Sequence, residues 1–275
     1  MKKHLKVLVV VAHPDEAEEY VSGTLALLAD AGHHVKVLST TNGDAGHMEL
    51  GPEDLVRRRV SEAHAAAEII GLADYEVWDE HDGDMVDTQA LRQRMLRAIR
   101  QWRTDVIITF TDEGDGHNDN RLAGRLVRNV MGLTTLPNPC RDIPPLAQQP
   151  VVLRMIDYGS IADHRADVAV AVDSVIDRKL RACAAHASQF LEFAPAQRDL
   201  LHLVPDAADT AAVDEFIVKY WSEYIETQDA ARPALARAYG DAAADVRYAE
   251  TFELAPFGRP TTVEEVERIL HSSAS

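Results

Sequence analysis

The sequence has little cysteine: two residues in 275, Cys140 and Cys183. They form no CxxC pair, which excludes a zinc knuckle and a disulfide framework, and a reduced cytoplasmic setting is expected. Basic residues are also scarce. Lys and Arg total 28 against 45 Asp and Glu, a formal net charge of −17. A surface of that sign repels phosphate backbones, so no nucleic-acid partner is expected. It also disfavours anionic membranes, and no apolar stretch reaches the ~20 residues of a membrane-spanning helix, so no membrane partner is expected. The opening "MKKHLKVLVVVA" has the basic start and apolar run of a signal peptide. Lys6 interrupts that run and no A-x-A pattern follows, so it reads as a first strand. No internal repeat and no low-complexity tract is found. The first strand-to-helix turn lacks G-x-G-x-x-G, the usual cradle for a dinucleotide's phosphates.

What is present is ordinary for a soluble globular chain: 46% hydrophobic and 27% charged residues. Leu5–Val11 is short, valine-rich and almost wholly apolar, the pattern of a strand buried on both faces. Val21, Leu25 and Leu28 then recur at helical spacing until Gly32. His34–Thr40 reads as a strand, Leu55 to Ile70 as an amphipathic helix closed by Gly71, and Tyr75–Trp78 as a weaker strand. Leu91–Trp102 is a helix, Asp105–Phe110 a strand, and Leu122–Met131 a helix. Strand and helix alternate, which predicts an α/β fold, a Rossmann-like and mostly parallel sheet flanked by helices. Thr134–Pro150 holds five prolines and reads as a loop. Val151–Ile156 and Ala166–Val172 are later strands, and Asp173–Phe190 and Thr210–Gln228 later helices. The chain reads as one domain over residues 1–275. Its core runs to about residue 190, and a helical and strand extension follows from about 191.

In open parallel sheets, ligands sit beyond the C-terminal strand ends. His13, Asp15 and Glu16 follow the first strand, Thr41–His47 ("TNGDAGH") the second, and Thr111–Asn120 ("TDEGDGHNDN") the strand ending at Phe110. Acids at the first turn would repel phosphate and attract a cation. A catalytic zinc needs three protein ligands and an open position. His13 and Glu16 are close enough in sequence to reach one ion, which leaves Asp15 free as a base. His117 is placed to polarise a carbonyl or protonate a leaving group.

"AHPDE" followed by "GTLALLADAGH" resembles the LmbE/PIG-L deacetylases, whose mark is a strand ending in AHPDD or HPDDE. The likeness continues in "TNGDAGH", "RVSEAHAAAEIIG", "HASQFLEFAP" and "RYAETFELAPFGRP". The resemblance implies hydrolysis of an N-acyl group on an amino sugar or related small molecule, by water that zinc or another divalent metal activates. It implies His13 as first metal ligand, Asp15 as general base, Glu16 as second ligand and His117 as the histidine that assists the transition state. Arg59, Asp44 and His47 are assigned to substrate contact. Assembly into a homo-oligomer is also implied.

Two positions depart from the family's pattern. Glu16 stands where Asp is usual, and Asn120 stands where H-P-D-H supplies the third ligand. A neutral amide oxygen suits calcium or magnesium better than zinc. Three outcomes stay open: weaker metal binding, a substitute ligand among Asp119, Asp112 and His47, or a site with no metal. The alternative function is therefore a member with a degenerate site, either a non-hydrolytic ligand binder or a repurposed biosynthetic enzyme.

Structural readings compete with these. An acidic helix start explains Asp15 and Glu16 through the helix dipole, and Asn120 is a good N-cap. Gly43, Asp44 and Gly46 suit turns. Arg59 and Glu62 fit a surface pair, and His186 a packed helix residue. The Asp82–Asp84 run reads as an ordinary acidic turn.

Overall fold

The computed structural model describes residues 4–159 and 163–271. Its strands are β1 (Lys6–Val11), β2 (His34–Ser39), β3 (Asp74–Val77), β4 (Val106–Thr109), β5 (Val151–Met155), β6 (Val168–Ala171) and β7 (Ala249–Leu254). Between β1 and β5 lie α1 (Glu16–Asp30), α2 (Pro52–Ile70), α3 (Gln89–Trp102) and α4 (Asn118–Met131). After β6 come α5 (Ile176–Ala185), α6 (Ala194–Gln197), α7 (Thr210–Tyr220), α8 (Ser222–Ile225) and α9 (Arg232–Tyr239), with α10 (Val263–Leu270) after β7.

The strands form one sheet in the order β3-β2-β1-β4-β5-β7-β6. From β3 to β5 every pairing is parallel, as the alternation of elements predicts. β7 runs antiparallel to both β5 and β6. The sequence reading expected strand in the extension after about residue 191 but did not place it at β7. "AETFEL" mixes polar and apolar residues, with Glu250 and Thr251 adjacent, and lacks the solid apolar run that marked β1 and β4. Because β7 lies between β5 and β6, the chain beyond residue 191 contributes a strand to the interior of the sheet.

β1 shows why the sheet is covered on both faces. Val7, Val9 and Val11 point into one core with α1, α2 and α5. Leu8, Val10 and Ala12 point into the other with α3 and α4. All six are fully buried, so a period-2 strand needs apolar residues at every position. α2 ends at Gly71 with φ 87°, the left-handed stop expected of that glycine. The helix expected over 173–190 instead breaks at His186 and continues as a π-helical stretch, Ser188–Phe193. The helix expected over 210–228 is interrupted at Trp221, between α7 and α8. Among the described residues no helix is long and apolar enough to cross a membrane.

One buried ion pair ties the late strand to the first helix. Lys179 Nζ on α5 lies 2.7 Å from Glu250 Oε1 on β7, and both side chains are almost fully buried. Glu250 also accepts the backbone N–H groups of Gly23 and Thr24 on α1, at 2.9 and 2.7 Å. Lys179 donates to the Glu19 carbonyl at 2.7 Å. Removing one partner strands the other charge in a dry interior, which costs about 3–5 kcal/mol. Lys179→Met is therefore expected to lower unfolding free energy in urea by about that amount. A loss below about 1 kcal/mol, the scale of an exposed ion pair, would mean the pair does not hold β7 to α1.

Candidate functional site

The chain leaves β1 toward β2 on one side, and β4 lies on the other. A crevice opens where the strand order reverses, beyond the carboxyl ends of β1 and β4. His13 follows β1 and His117 follows β4, so the topology brings together two segments about a hundred residues apart. Their rings meet edge to face with centroids 4.8 Å apart. α4 packs tightly here. A Cβ on Gly124 would collide with the Phe110 carbonyl, so the middle of that helix sits close against the chain leaving β4.

Three carboxylates converge on the His13 ring. Nδ1 lies 3.0 Å from Glu16 Oε1, and Nε2 lies 2.9 Å from Asp82 Oδ1 and 3.8 Å from Asp119 Oδ2. Glu16 Oε2 accepts the backbone N–H groups of Ala12 and His13 at 2.9 and 2.8 Å. Glu16 therefore folds back on the turn and buttresses His13. Burial pushes the His13 imidazole pKa down, but the Glu16 charge and the bonds to Asp119, Asp82 and Glu16 outweigh it. The ring ends well above the usual histidine range. Asp82 is pushed up by burial, yet its bond and attraction to His13 leave it lowered. The turn is built to favour a positive charge.

His117, Asp119 and Asn120 begin α4. The His117 Nδ1 accepts the Asp119 N–H at 3.3 Å, which caps the helix. In the neutral ring this leaves the proton on Nε2. Asp119 is fully buried. Its Oδ2 accepts the Gly83 N–H at 2.8 Å, while Oδ1 has no hydrogen-bond partner among the described residues. His13, His117 and Asp119 each offer a ligand atom, and these lie within 4.8 Å of one another. Asn120 is also fully buried; its amide donates to Asp157 Oδ1 at 3.2 Å, and its Oδ1 has no hydrogen-bond partner among the described residues. Burial, and the Glu16 charge after it, push the Asp157 carboxyl up to about 6.

The family resemblance implied His13, Glu16 and Asn120 as ligands; among the His, Cys, Asp and Glu side chains of the described residues, the ligand atoms that cluster belong to His13, His117 and Asp119. Of the substitute ligands weighed above, Asp119 stands at the centre. Asp112 is committed to Arg128 and to Arg154, at 2.5 and 2.8 Å. His47 is committed to Glu192 at 3.0 Å. Two buried carboxylate and amide oxygens without partners, beside a ring caged by acids, suit a divalent cation.

Asp15 is held by Arg59, Nη2 to Oδ1 at 2.9 Å. The Arg59 Nη1 donates to the Gly43 carbonyl at 2.9 Å. Gly43 has φ 68°, and a Cβ there would collide with the guanidinium. Arg59 is buried, so this is no surface pair. His13, Asp15, Glu16, Arg59, Asp82 and His117 all line one cleft of about 530 Å3. Asp44 and His47 do not line it. Asp44 accepts the Asp82 N–H at 3.0 Å and meets His81 Nδ1 at 2.5 Å, so it fixes the Asp82 loop from behind. Gln189 reaches the wall through the Gly46 carbonyl, at 3.1 Å. Asp82 and Asp157 are the residues that the sequence reading missed. They follow β3 and β5, and the strand-end rule that selected the other loops selects these as well.

The family model described as PIG-L: GlcNAc-PI de-N-acetylase matches residues 8–131. The chain is 30% identical over 192 residues to the diacetylchitobiose deacetylase of Thermococcus kodakarensis, a match that covers 68% of this chain and 71% of that protein. It is 28% identical over 149 residues to the 1D-myo-inositol 2-acetamido-2-deoxy-alpha-D-glucopyranoside deacetylase of Kineococcus radiotolerans, covering 42% of this chain and 41% of the relative. Among solved structures, the 4-carboxy-2-hydroxymuconate hydratase of Pseudomonas putida shares the fold, with a TM-score of 0.68 at 21% identity and coverage of 94% of this chain and 98% of that one. With its HPDE turn, its doubly wound sheet and a relative matched over most of both chains, this protein belongs to the PIG-L, or LmbE-like, deacetylase family.

Proposed function

We propose that this chain is a divalent-metal-dependent amidohydrolase that removes an N-acetyl group from an amino sugar. The observation that carries the reading is the joint placement of His13, His117 and Asp119 within 4.8 Å, beside an Asp15 fixed by Arg59. The substrate class is taken from the names of the deacetylase relatives. His13 Nε2 and Asp119 would hold the cation, with Asp82 beside them. A cation there would supply Lewis acidity, polarising the amide carbonyl and easing proton loss from water.

The chain's own groups do the rest. Asp15 lies on the cleft wall and takes the proton from water as its oxygen attacks the acyl carbon. Arg59 keeps that carboxylate aimed; with Gly43 behind it, the guanidinium has little room to turn. His117, protonated at Nε2, donates to the oxygen on which negative charge develops. The C–N bond then breaks, and the proton held by Asp15 goes to the leaving nitrogen. Glu16 acts through His13: it fixes ring and tautomer as an outer carboxylate does for a ligating histidine.

A second reading is favoured by one observation, the amide of Asn120 where the family resemblance expects a histidine. In it the cleft binds ligand without hydrolysis. Acetate release from N-acetylglucosamine and its β-1,4 dimer decides between the readings. Activity that a chelator abolishes and zinc restores is expected, and Asp15→Asn should lower kcat about 10²–10⁴-fold with little change in KM. Zinc-loaded protein that binds the sugars and releases no acetate would establish the second reading.

The site also makes a pH prediction. The Asp157 carboxyl is raised in the folded chain to about 6, from an ordinary 3.8. The folded state therefore holds this proton more tightly. The group adds stability below the unfolded value and withdraws it as pH rises through the folded value. In chelator-treated protein, an NMR titration of the Asp157 carboxyl is expected to show a midpoint near 6, and Glu16→Gln should move it down. A midpoint in the ordinary carboxylate range would overturn the packing argument.

A further inference from the structure

The stretch Ser188–Phe193 is π-helical, a rare form that often lies at functional sites. Its start is fixed to α2. Glu62 Oε1 accepts the Ser188 N–H at 3.0 Å, and Glu62 Oε2 accepts the Ser188 hydroxyl at 2.6 Å. With its proton given to Glu62, the Ser188 Oγ is left to accept, and it accepts one Gln189 Nε2 hydrogen at 3.1 Å. The other Nε2 hydrogen goes to the Gly46 carbonyl, also at 3.1 Å. Both partners are acceptors here, so the Gln189 amide cannot be turned over, and its nitrogen is fully used. Gln189 is buried and lines the cleft, and its Oε1 accepts no hydrogen bond among the described residues. The amide therefore presents a fixed, neutral acceptor to the cleft.

That acceptor lies on the Asp15 side of the cleft. Gln189 Oε1 and Arg59 Nη1 are each 3.4 Å from the point where a Cβ on Gly46 would stand, so they are at most twice that distance apart. Arg59 Nη2 in turn lies 2.9 Å from Asp15 Oδ1. The Phe193 ring comes within 3.6 Å of the same point and closes the corner. In the proposed reaction the acyl carbon meets a water held by Asp15, and the leaving nitrogen is bonded to that carbon. A secondary amide offers one acceptor, its oxygen, and one donor, its N–H. His117 serves the oxygen. The N–H is left without an acceptor there, and a donor sealed in a cleft without one is costly. Gln189 Oε1 supplies the acceptor without charge, so it does not compete with Asp15 as base. As the nitrogen turns pyramidal, an N–H held toward Gln189 leaves the lone pair for the proton on Asp15. We infer that Gln189 accepts the N–H of the scissile amide and is the residue by which the cleft tells an amide from an ester. The inference rests on the amidohydrolase reading and deepens it.

The test compares kcat/KM for N-acetylglucosamine and 2-O-acetylglucose, the same sugar with an ester oxygen in place of the N–H. Both are measured on the zinc-loaded protein and on Gln189→Met, which keeps the bulk and removes the acceptor. The variant is expected to lose about 10-fold more on the amide than on the ester, as loss of one hydrogen bond does. Equal losses on amide and ester make Gln189 a wall residue and overturn the proposal, as does no loss on either. 3-Deoxy-N-acetylglucosamine locates the donor. The variant should harm its turnover as much as that of the parent sugar. If removal of the 3-hydroxyl abolishes the loss, Oε1 binds that hydroxyl and the proposal is overturned. Should Gln189→Met fail to fold, the N-methylated amide puts the question to the unaltered protein. A loss of about 10-fold against the N–H amide supports the proposal, and equal turnover overturns it. If neither sugar is hydrolysed, the amidohydrolase reading fails by itself. The contact is then read by calorimetry with the same pair. Tighter binding of the amide that Gln189→Met abolishes supports it, and equal binding overturns it.

Discussion

The contact on which the site depends is the hold of carboxylates on the His13 ring. Glu16 on one ring nitrogen, and Asp82 and Asp119 toward the other, come from segments that follow three different strands. In a low-dielectric crevice, like charges so placed repel one another strongly unless something positive sits among them. The imidazolium meets that demand in part, and a divalent ion would meet it more fully. Around this centre the remaining features take their places. Asp44 braces the Asp82 loop, Gly83 binds the Asp119 carboxylate, and His117 caps the helix on which Asp119 rides.

That arrangement requires a sheet that delivers several loops to one edge. The valine run of β1 supplies it, because a strand buried on both faces must sit in the interior of a parallel sheet. Reversal of strand order between β1 and β4 then leaves a crevice where His13 and His117 emerge. The buried Lys179–Glu250 pair joins the late strand β7 to the body of α1, the helix that begins with Glu16. Residues near the C-terminus thus help to set the orientation of the turn after β1.

Much of this was legible in the residues. The continuous apolar runs of β1 and β4 and the 3.6-residue periodicity of α1 to α4 announced a parallel α/β sheet, and the strand-end rule pointed to the loops carrying His13, Asp15, Glu16 and His117. The position of β7 was not legible, since "AETFEL" carries two glutamates and no apolar run; Lys179 and the backbone N–H groups of Gly23 and Thr24, all distant in sequence, make a buried acid tolerable there. Asp82 looked like a turn residue because its contact with His13 spans 69 positions.

The substitution of Asn for His at position 120 shows how a local pattern and a three-dimensional site can differ. The family resemblance implies that residue 120 completes a ligand set with Glu16. In the fold, Glu16 is occupied with His13 and two backbone N–H groups, the Asn120 amide donates to Asp157, and Asp119 Oδ1 and Asn120 Oδ1 are the buried oxygens here left without a hydrogen-bond partner among the described residues. The central claim is that a divalent ion sits with His13 and Asp119. An anomalous-difference map at the zinc edge, from crystals grown with zinc, tests it most directly. The account predicts a single strong peak bonded to His13 Nε2 and the Asp119 carboxylate. A peak bonded to Glu16 and Asn120 with Asp119 out of reach, or no peak in the cleft, would contradict it.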